Sequence, residues 1–335
     1  MYIGKSYKLS EFIIWTRKGI YQLLLLGIVP VLLYQLLGLK WVGISWTVVG
    51  LLGTATAFIV AFRNTQTYNR TLEGQQIWTG ILSMSRSWGM MSRDFASDPA
   101  ISKKLVYIHL AWLTSLRYQM REYRVWEVSQ QKHNREYQRH FSVAESDTTL
   151  EVELLRYLSE RELADIMGSH DKATQLLSLQ SKMLKKLYDD QHIVVLQFVD
   201  MKRLLKELLA LQGRSQHLKD FPYPRQYAII NNLLIKLFCF LLPYGMLNEF
   251  DKLNESIEGA MKGNMVWLVV PFSLLISWMY TALNQVGEST ENPFEGSAND
   301  IPITQISRTV EIDLKEMIGD DQLPKTYPPQ HDIIL

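Results

Sequence analysis

Thr54, Phe58 and Phe62 stand four residues apart near the end of a stretch, Trp41 to Phe62, that carries no charge. On a helix this spacing places the three side chains on one stripe, whose flanks Gly53, Ala55, Ala57 and Ala61 keep thin. Two kinds of chemistry suit such a stripe. Small residues let membrane helices approach closely, which fits a helix–helix seam. A wall of apolar rings also fits a narrow pore that stops ions by shedding water. Spacing alone favours the seam.

The residue types that usually carry catalysis are present without a pattern. His109, His133, His140, His170, His192, His217 and His331 contain no i, i+4 pair; His133 and His140, among Lys, Arg and Glu, suit a solvated helix face. Cys239 is the one cysteine and lies in an apolar run, as a buried small hydrophobe rather than a nucleophile. No nucleophile elbow, phosphate-binding loop or dinucleotide fingerprint occurs, so neither an enzyme, nor a cofactor, nor a metal is expected. Lys236 is costly at membrane depth unless it meets water or a partner. A helix that enters the membrane near Leu237, with Asn231 and Asn232 interfacial, lets Lys236 snorkel.

Four apolar segments must position these residues. Residues 19–39 are uncharged and contain Pro30, which bends the helix. Residues 41–62 follow after Lys40, and 22 uncharged residues reach about 33 Å, enough to cross a bilayer core. Residues 226–248 are interrupted only by Lys236, and residues 263–287 carry no charge. The average conceals this: a mean hydropathy of −0.05 over 335 residues suits a soluble protein, because the apolar residues bunch toward the two ends. Net charge is +1, from 35 basic and 34 acidic residues, without the basic footprint that nucleic acid requires. The basic lead-in (Lys5, Lys8, Arg17, Lys18) has no small-residue cleavage site and reads as no signal peptide. Between the last two apolar segments lie Glu249, Asp251, Glu255 and Glu258 against two lysines, while the arginines concentrate at the N-terminus and in the middle. The positive-inside rule then puts both termini and the middle in the cytoplasm.

The division expected is 1–62, a lead-in and membrane hairpin; 63–225, a cytosolic helical domain; 226–287, a second hairpin; and 288–335, a cytosolic C-terminal segment. Within the middle, residues 74–91 keep an apolar stripe, residues 101–128 have one buried face, and Thr148 opens a capped helix to Met167. Asp171 to Gln212 reads as one amphipathic run stopped at Gly213. Ser297 to Asp300 is expected to cap the next turn, and Thr304 to Met317 to form a short helix.

The string FRNTQTYNRTLEGQQIWTGI resembles the bestrophin family's pattern, with Phe62, Arg63, Tyr68, Arg70, Glu73 and Trp78 in register and Gly80 one place late. ENPFEGSANDIP, with Asn292, Pro293, Phe294 and Asp300, looks like the family's segment after its last membrane helix. Gly213 to Gly245 is similar to the family's approach to its third helix. The resemblance covers most of the chain in order.

It implies an all-α membrane protein with four transmembrane helices per subunit and a helical cytosolic domain, a homopentamer around one axial pore. Thr54, Phe58 and Phe62 then become the pore neck and gate, with a tentative cytosolic constriction at Leu196. Arg63, Tyr68, Arg70, Glu73 and Trp78 become vestibule or structural positions; Arg70 and Glu73, three apart, could pair. Family calcium sites use a dense acidic run, whereas Glu295 to Asp300 holds two acids, so calcium gating is not expected. The function implied is a cell (inner) membrane channel for chloride and other monovalent anions. The rivals are a cation-conducting homologue and a non-conducting scaffold or sensor.

Overall fold

The structure, a computed structural model, describes residues 1–5, 9–96, 98–127, 141–259 and 261–335. His133 and His140, and the end of the 101–128 stretch, lie outside the described residues. Among those described there is no strand, only isolated bridges that join Tyr2 and Gln330 to Ile333. Among the described residues four helical segments are long and apolar enough to cross a membrane: Ser10–Gln35, Lys40–Phe95, Arg225–Glu255 and Met265–Ser289.

The chain forms two units. One comprises Lys5–Asn69 and Tyr223–Glu291. It contains α1 (Leu9–Gln35), the first half of α2 (Trp46–Phe95), α9 (Arg225–Lys252) and α10 (Val269–Ser289). Its interior is apolar: Val31, Val49, Phe238 and Leu242 are buried together, and the Phe238 ring packs 4.7 Å from that of Tyr280. The turns at one end are tied by polar side chains. Tyr34 donates to Asp251 at 2.7 Å, Lys40 pairs with Asp251 at 3.2 Å, and Asn254 accepts from the backbone of Gly263 and Met265. Pro30 and Pro243 lie inside α1 and α9, where each removes one backbone donor.

The other unit comprises Met1–Gly4, Arg70–Pro222 and Asn292–Leu335. Its centre is α3 (Pro99–Arg121), buried along most of its length; Asp98 caps it by accepting from the Ala100 N–H at 2.8 Å. Around it lie the second half of α2, the short helices α4 (Ala144–Asp147), α5 (Leu150–Leu154) and α6 (Glu160–Met167), and the longer α7 (Lys172–Asp189), α8 (Val195–Asp220) and α11 (Ile303–Met317). The Trp112 indole donates to Gln212 at 2.9 Å, and Gln212 donates onward to Thr174 at 2.8 Å. Pro324 to Leu335 returns to the same unit: Tyr327 accepts from Arg308 at 2.6 Å and Ile333 is buried.

Several boundaries differ from expectation, each for a local reason. The expected membrane helix and the 74–91 stripe are one 50-residue helix, since a helix's own hydrogen bonds continue regardless of side-chain polarity. The capping box lies at Ser159 and Glu162 rather than at Thr148, and it separates α6 from α5. The 171–212 run breaks at 190–194, where Gln191 takes a positive φ of 59°. Gly213 does not stop α8, which runs on to Asp220 before Pro222 and Pro224 end it.

Candidate functional site

The residues expected at the neck, Thr54, Phe58 and Phe62, all lie on α2, but they do not share one direction. Steps of four residues overshoot a 3.6-residue turn by about 40°, so Thr54 sits roughly 80° around the helix from Phe62. Thr54 lines a groove of about 570 Å³ with Ala57, Phe58, Phe238, Leu242 and Tyr280, and its hydroxyl donates back to the Gly50 carbonyl at 3.0 Å. Phe58 is 63% exposed and Phe62 69% exposed, although both are large apolar rings. Leu51 and Ala55 are exposed as well, and by the same angular count they fall nearer to the Phe58–Phe62 line than Thr54 does. Sequence reading missed them because it followed four-residue steps; a mixed step of four, three and four traces the exposed face. The opposite face holds Val49, Thr56 and Val60 in the interior.

Arg63, the next residue after Phe62, points inward and is 3% exposed. Its Nη2 lies 2.7 Å from Glu291 Oε2, its Nη1 donates to Asn284 at 2.6 Å, and Glu288 stands 3.7 Å away. Asn231 donates to the same Asn284 oxygen at 2.6 Å, and Asn284 donates to Asn232 at 2.9 Å. Arg225 reaches the second Glu291 oxygen at 3.4 Å. These groups form a polar layer across α2, α9 and α10. Asn231 is therefore buried in the layer, and Lys236, one turn further along α9, is exposed. Arg63 and Glu291 both stand in the family-like strings, but nothing in the strings pairs them; for Asn231, Asn232 and Asn284 an amide within an otherwise apolar run was the one available signal.

Of the remaining motif residues, Tyr68 lies near the end of the first unit's Lys5–Asn69 segment and the others lie in the second unit. Tyr68 is exposed. Arg70 donates to the Leu218 and Phe221 carbonyls, both at 2.9 Å, at the end of α8 where a helix leaves acceptors unsatisfied. Glu73 accepts from Arg214 at 3.3 Å. Trp78 is fully buried with its ring 6.1 Å from that of Phe294. Asn292 and Pro293 are buried beside it in the sequence.

Asp300 does not cap the turn that follows. Its carboxylate accepts from the Phe294 and Ile301 N–H groups through one oxygen, and from Gly296 N–H and Arg121 through the other, at 2.7–2.8 Å. That arrangement holds a loop in which Phe294 takes a φ of 76°. Among the described residues no group of three His, Cys, Asp or Glu side chains is placed to hold a metal ion. His109 is buried beside Ser85 at 2.9 Å, and burial pulls its pKa down to about 3. Cys239 is buried, with the Ser277 carbonyl 3.8 Å from its sulfur. Leu196, on the first turn of α8, is 73% exposed, and Val195 and Val199 around it are exposed too.

Residues 18–316 match the family described as Bacterial/Fungal Bestrophin protein. The voltage-dependent anion channel-forming protein YneE of Escherichia coli K12 is 23% identical over 299 residues, 89% of this chain and 84% of that protein. A cyanobacterial relative from Synechocystis, the voltage-dependent anion channel-forming protein sll1024, is 23% identical over 82% of this chain and 76% of its own length. Among solved structures, a bacterial bestrophin homologue from Klebsiella pneumoniae has the same fold. Its TM-score is 0.74 at 22% identity, covering 92% of this chain and 98% of that one.

Proposed function

The chain belongs to the bacterial and fungal bestrophin family, and from that premise we propose that it forms a homopentameric channel of the cell (inner) membrane for chloride and other monovalent anions. Both termini face the cytoplasm. The observation that carries the proposal is an uncharged α2 face whose two phenylalanines stay exposed on a helix long enough to span the bilayer. Five copies of Phe58 and Phe62 make stacked rings about 6 Å apart. Rings that narrow the path below the width of a hydrated ion close it by dewetting. The edge of a phenylalanine ring carries partial positive charge, so edges turned inward tolerate an anion better than a cation.

Leu196 supplies a second apolar ring. Opening does not use calcium: both Asp300 oxygens are already engaged by backbone N–H groups and by Arg121. Arg70, Glu73, Trp78, Asn292, Pro293 and Phe294 maintain the fold around the conduction path.

Thr54 also admits a second placement. Its position in the groove against Phe238 and Leu242 favours a seam with the neighbouring subunit, which leaves Leu51, Ala55, Phe58 and Phe62 as the pore-facing line. Single cysteines at Leu51, Thr54, Phe58 and Phe62, in a Cys239→Ala background, test both. A soluble thiol reagent should block current at Phe58 and Phe62, and reaction at only one of Leu51 and Thr54 assigns the outer end. Protection at all four positions, in protein that still assembles, would point to a scaffold.

A further inference from the structure

Arg63 and Glu291 lie 228 residues apart in the chain, yet each is almost completely buried and each supplies the other's closest charge. A buried ion pair is an inefficient way to stabilise a bundle, because desolvation offsets most of the attraction. Its geometry is nevertheless directional. The guanidinium is a planar fork, and three of its contacts (Asn284, Glu288, Glu291) come from α10 and the residues just after it. One turn further on α2, Thr67 accepts from Thr290 at 3.1 Å, and Gly287 lets α10 approach Asn64 where a Cβ would collide with its amide oxygen. This middle stretch of α2 is thus gripped through Arg63, Asn64 and Thr67, on a face that begins about 100° around the helix from Phe62.

Resting on the channel proposed above for the role of Phe62 alone, we infer that Glu291 is a positioning residue for the neck. By holding the Arg63 guanidinium it fixes the rotation of α2, so that Phe62 faces out of the bundle and Val60, 2% exposed, faces in. Asn284 and Asn232 add to the grip by accepting from Arg63 Nη1 at 2.6 and 3.5 Å. Without the pair the helix keeps its length and its apolar contacts but loses the contact that selects one rotation from its neighbours.

The test uses the full-length protein in proteoliposomes, in a Cys239→Ala background, with one cysteine at Val60 or at Phe62. A soluble thiol reagent is applied to the parent, to Glu291→Gln, and to the double variant Arg63→Met/Glu291→Leu. The double variant removes both fully buried charges, while Glu288 and Arg225, 20% and 44% exposed, keep access to solvent, so it should fold even where the single one does not. We expect Val60→Cys to react about tenfold faster, and Phe62→Cys more slowly, in either variant that elutes like the parent. Glu291→Asp, which keeps the charge, should restore most of the parent pattern. Unchanged rates at both positions in a well-assembled double variant would overturn the inference. So would failure of both variants to fold, because the pair would then serve stability alone. Shifted thiol rates without current in any background keep the role of Glu291 and remove the channel; current with unshifted rates does the reverse.

Discussion

A phenylalanine at an uncharged constriction acts through its width and through its lack of hydrogen-bonding groups, and alanine removes the first without adding the second. Phe62→Ala should therefore raise the resting current several-fold while leaving the protein assembled, because Phe62 is exposed and little packing is lost. Unaltered current in a well-formed variant would count against this ring as the gate. His109 makes a separate prediction about acid. Its folded pKa is about 3 against an ordinary 6.5, so below pH 6.5 the unfolded chain takes up a proton that the folded chain refuses. Stability therefore falls as pH drops from 6.5 toward 3, by on the order of 2 kcal/mol at pH 5. Thermal unfolding of His109→Gln between pH 7 and pH 5 should show a flatter dependence than the parent. At this scale the phenylalanine stripe was legible in the sequence as a local signal, but its spacing alone favoured a helix–helix seam, and the pore-facing reading came from the family resemblance. The role of Glu291 was not legible: it opens the ENPFEGSANDIP string, but its partner is 228 residues away and no local pattern pairs the two.

The elements were legible where composition changes sharply and obscure where it does not. Three membrane segments could be read from the absence of charge, but α2 reads as two pieces because Arg63 interrupts the hydropathy and not the helix. Its second half is closely packed. Gly74 sits against the Ile301 and Phe294 side chains, with Phe294 Cζ 3.2 Å from where a Cβ would stand. Gly74→Val should cost about 1–3 kcal/mol through overpacking, read as an earlier thermal midpoint of the purified protein. A neutral result would mean that the Asp300 loop yields without resistance. Gly213 shows the opposite case: a glycine with no atom near it in mid-helix, which the sequence suggested as a stop. The stop came instead from Pro222 and Pro224, whose rings cannot continue the backbone ladder.

At the scale of the whole molecule, one subunit carries wide apolar faces that a single copy leaves open: Leu51, Phe58 and Phe62 on α2, and Leu233, Leu237 and Phe240 on α9. Lipid can cover the second set. The first set adjoins the groove of Thr54 and Ala57, which suits a neighbouring subunit and then the pore. The fold class and the family were legible from order and motif; the proposed subunit number and ion choice rest on the resemblance alone, since under that proposal both arise from copies meeting each other. The most direct measurement is the zero-current potential of the purified protein in a planar bilayer under a KCl gradient. The proposed anion channel predicts a potential close to the chloride equilibrium value, whereas a potential close to that of potassium would contradict it.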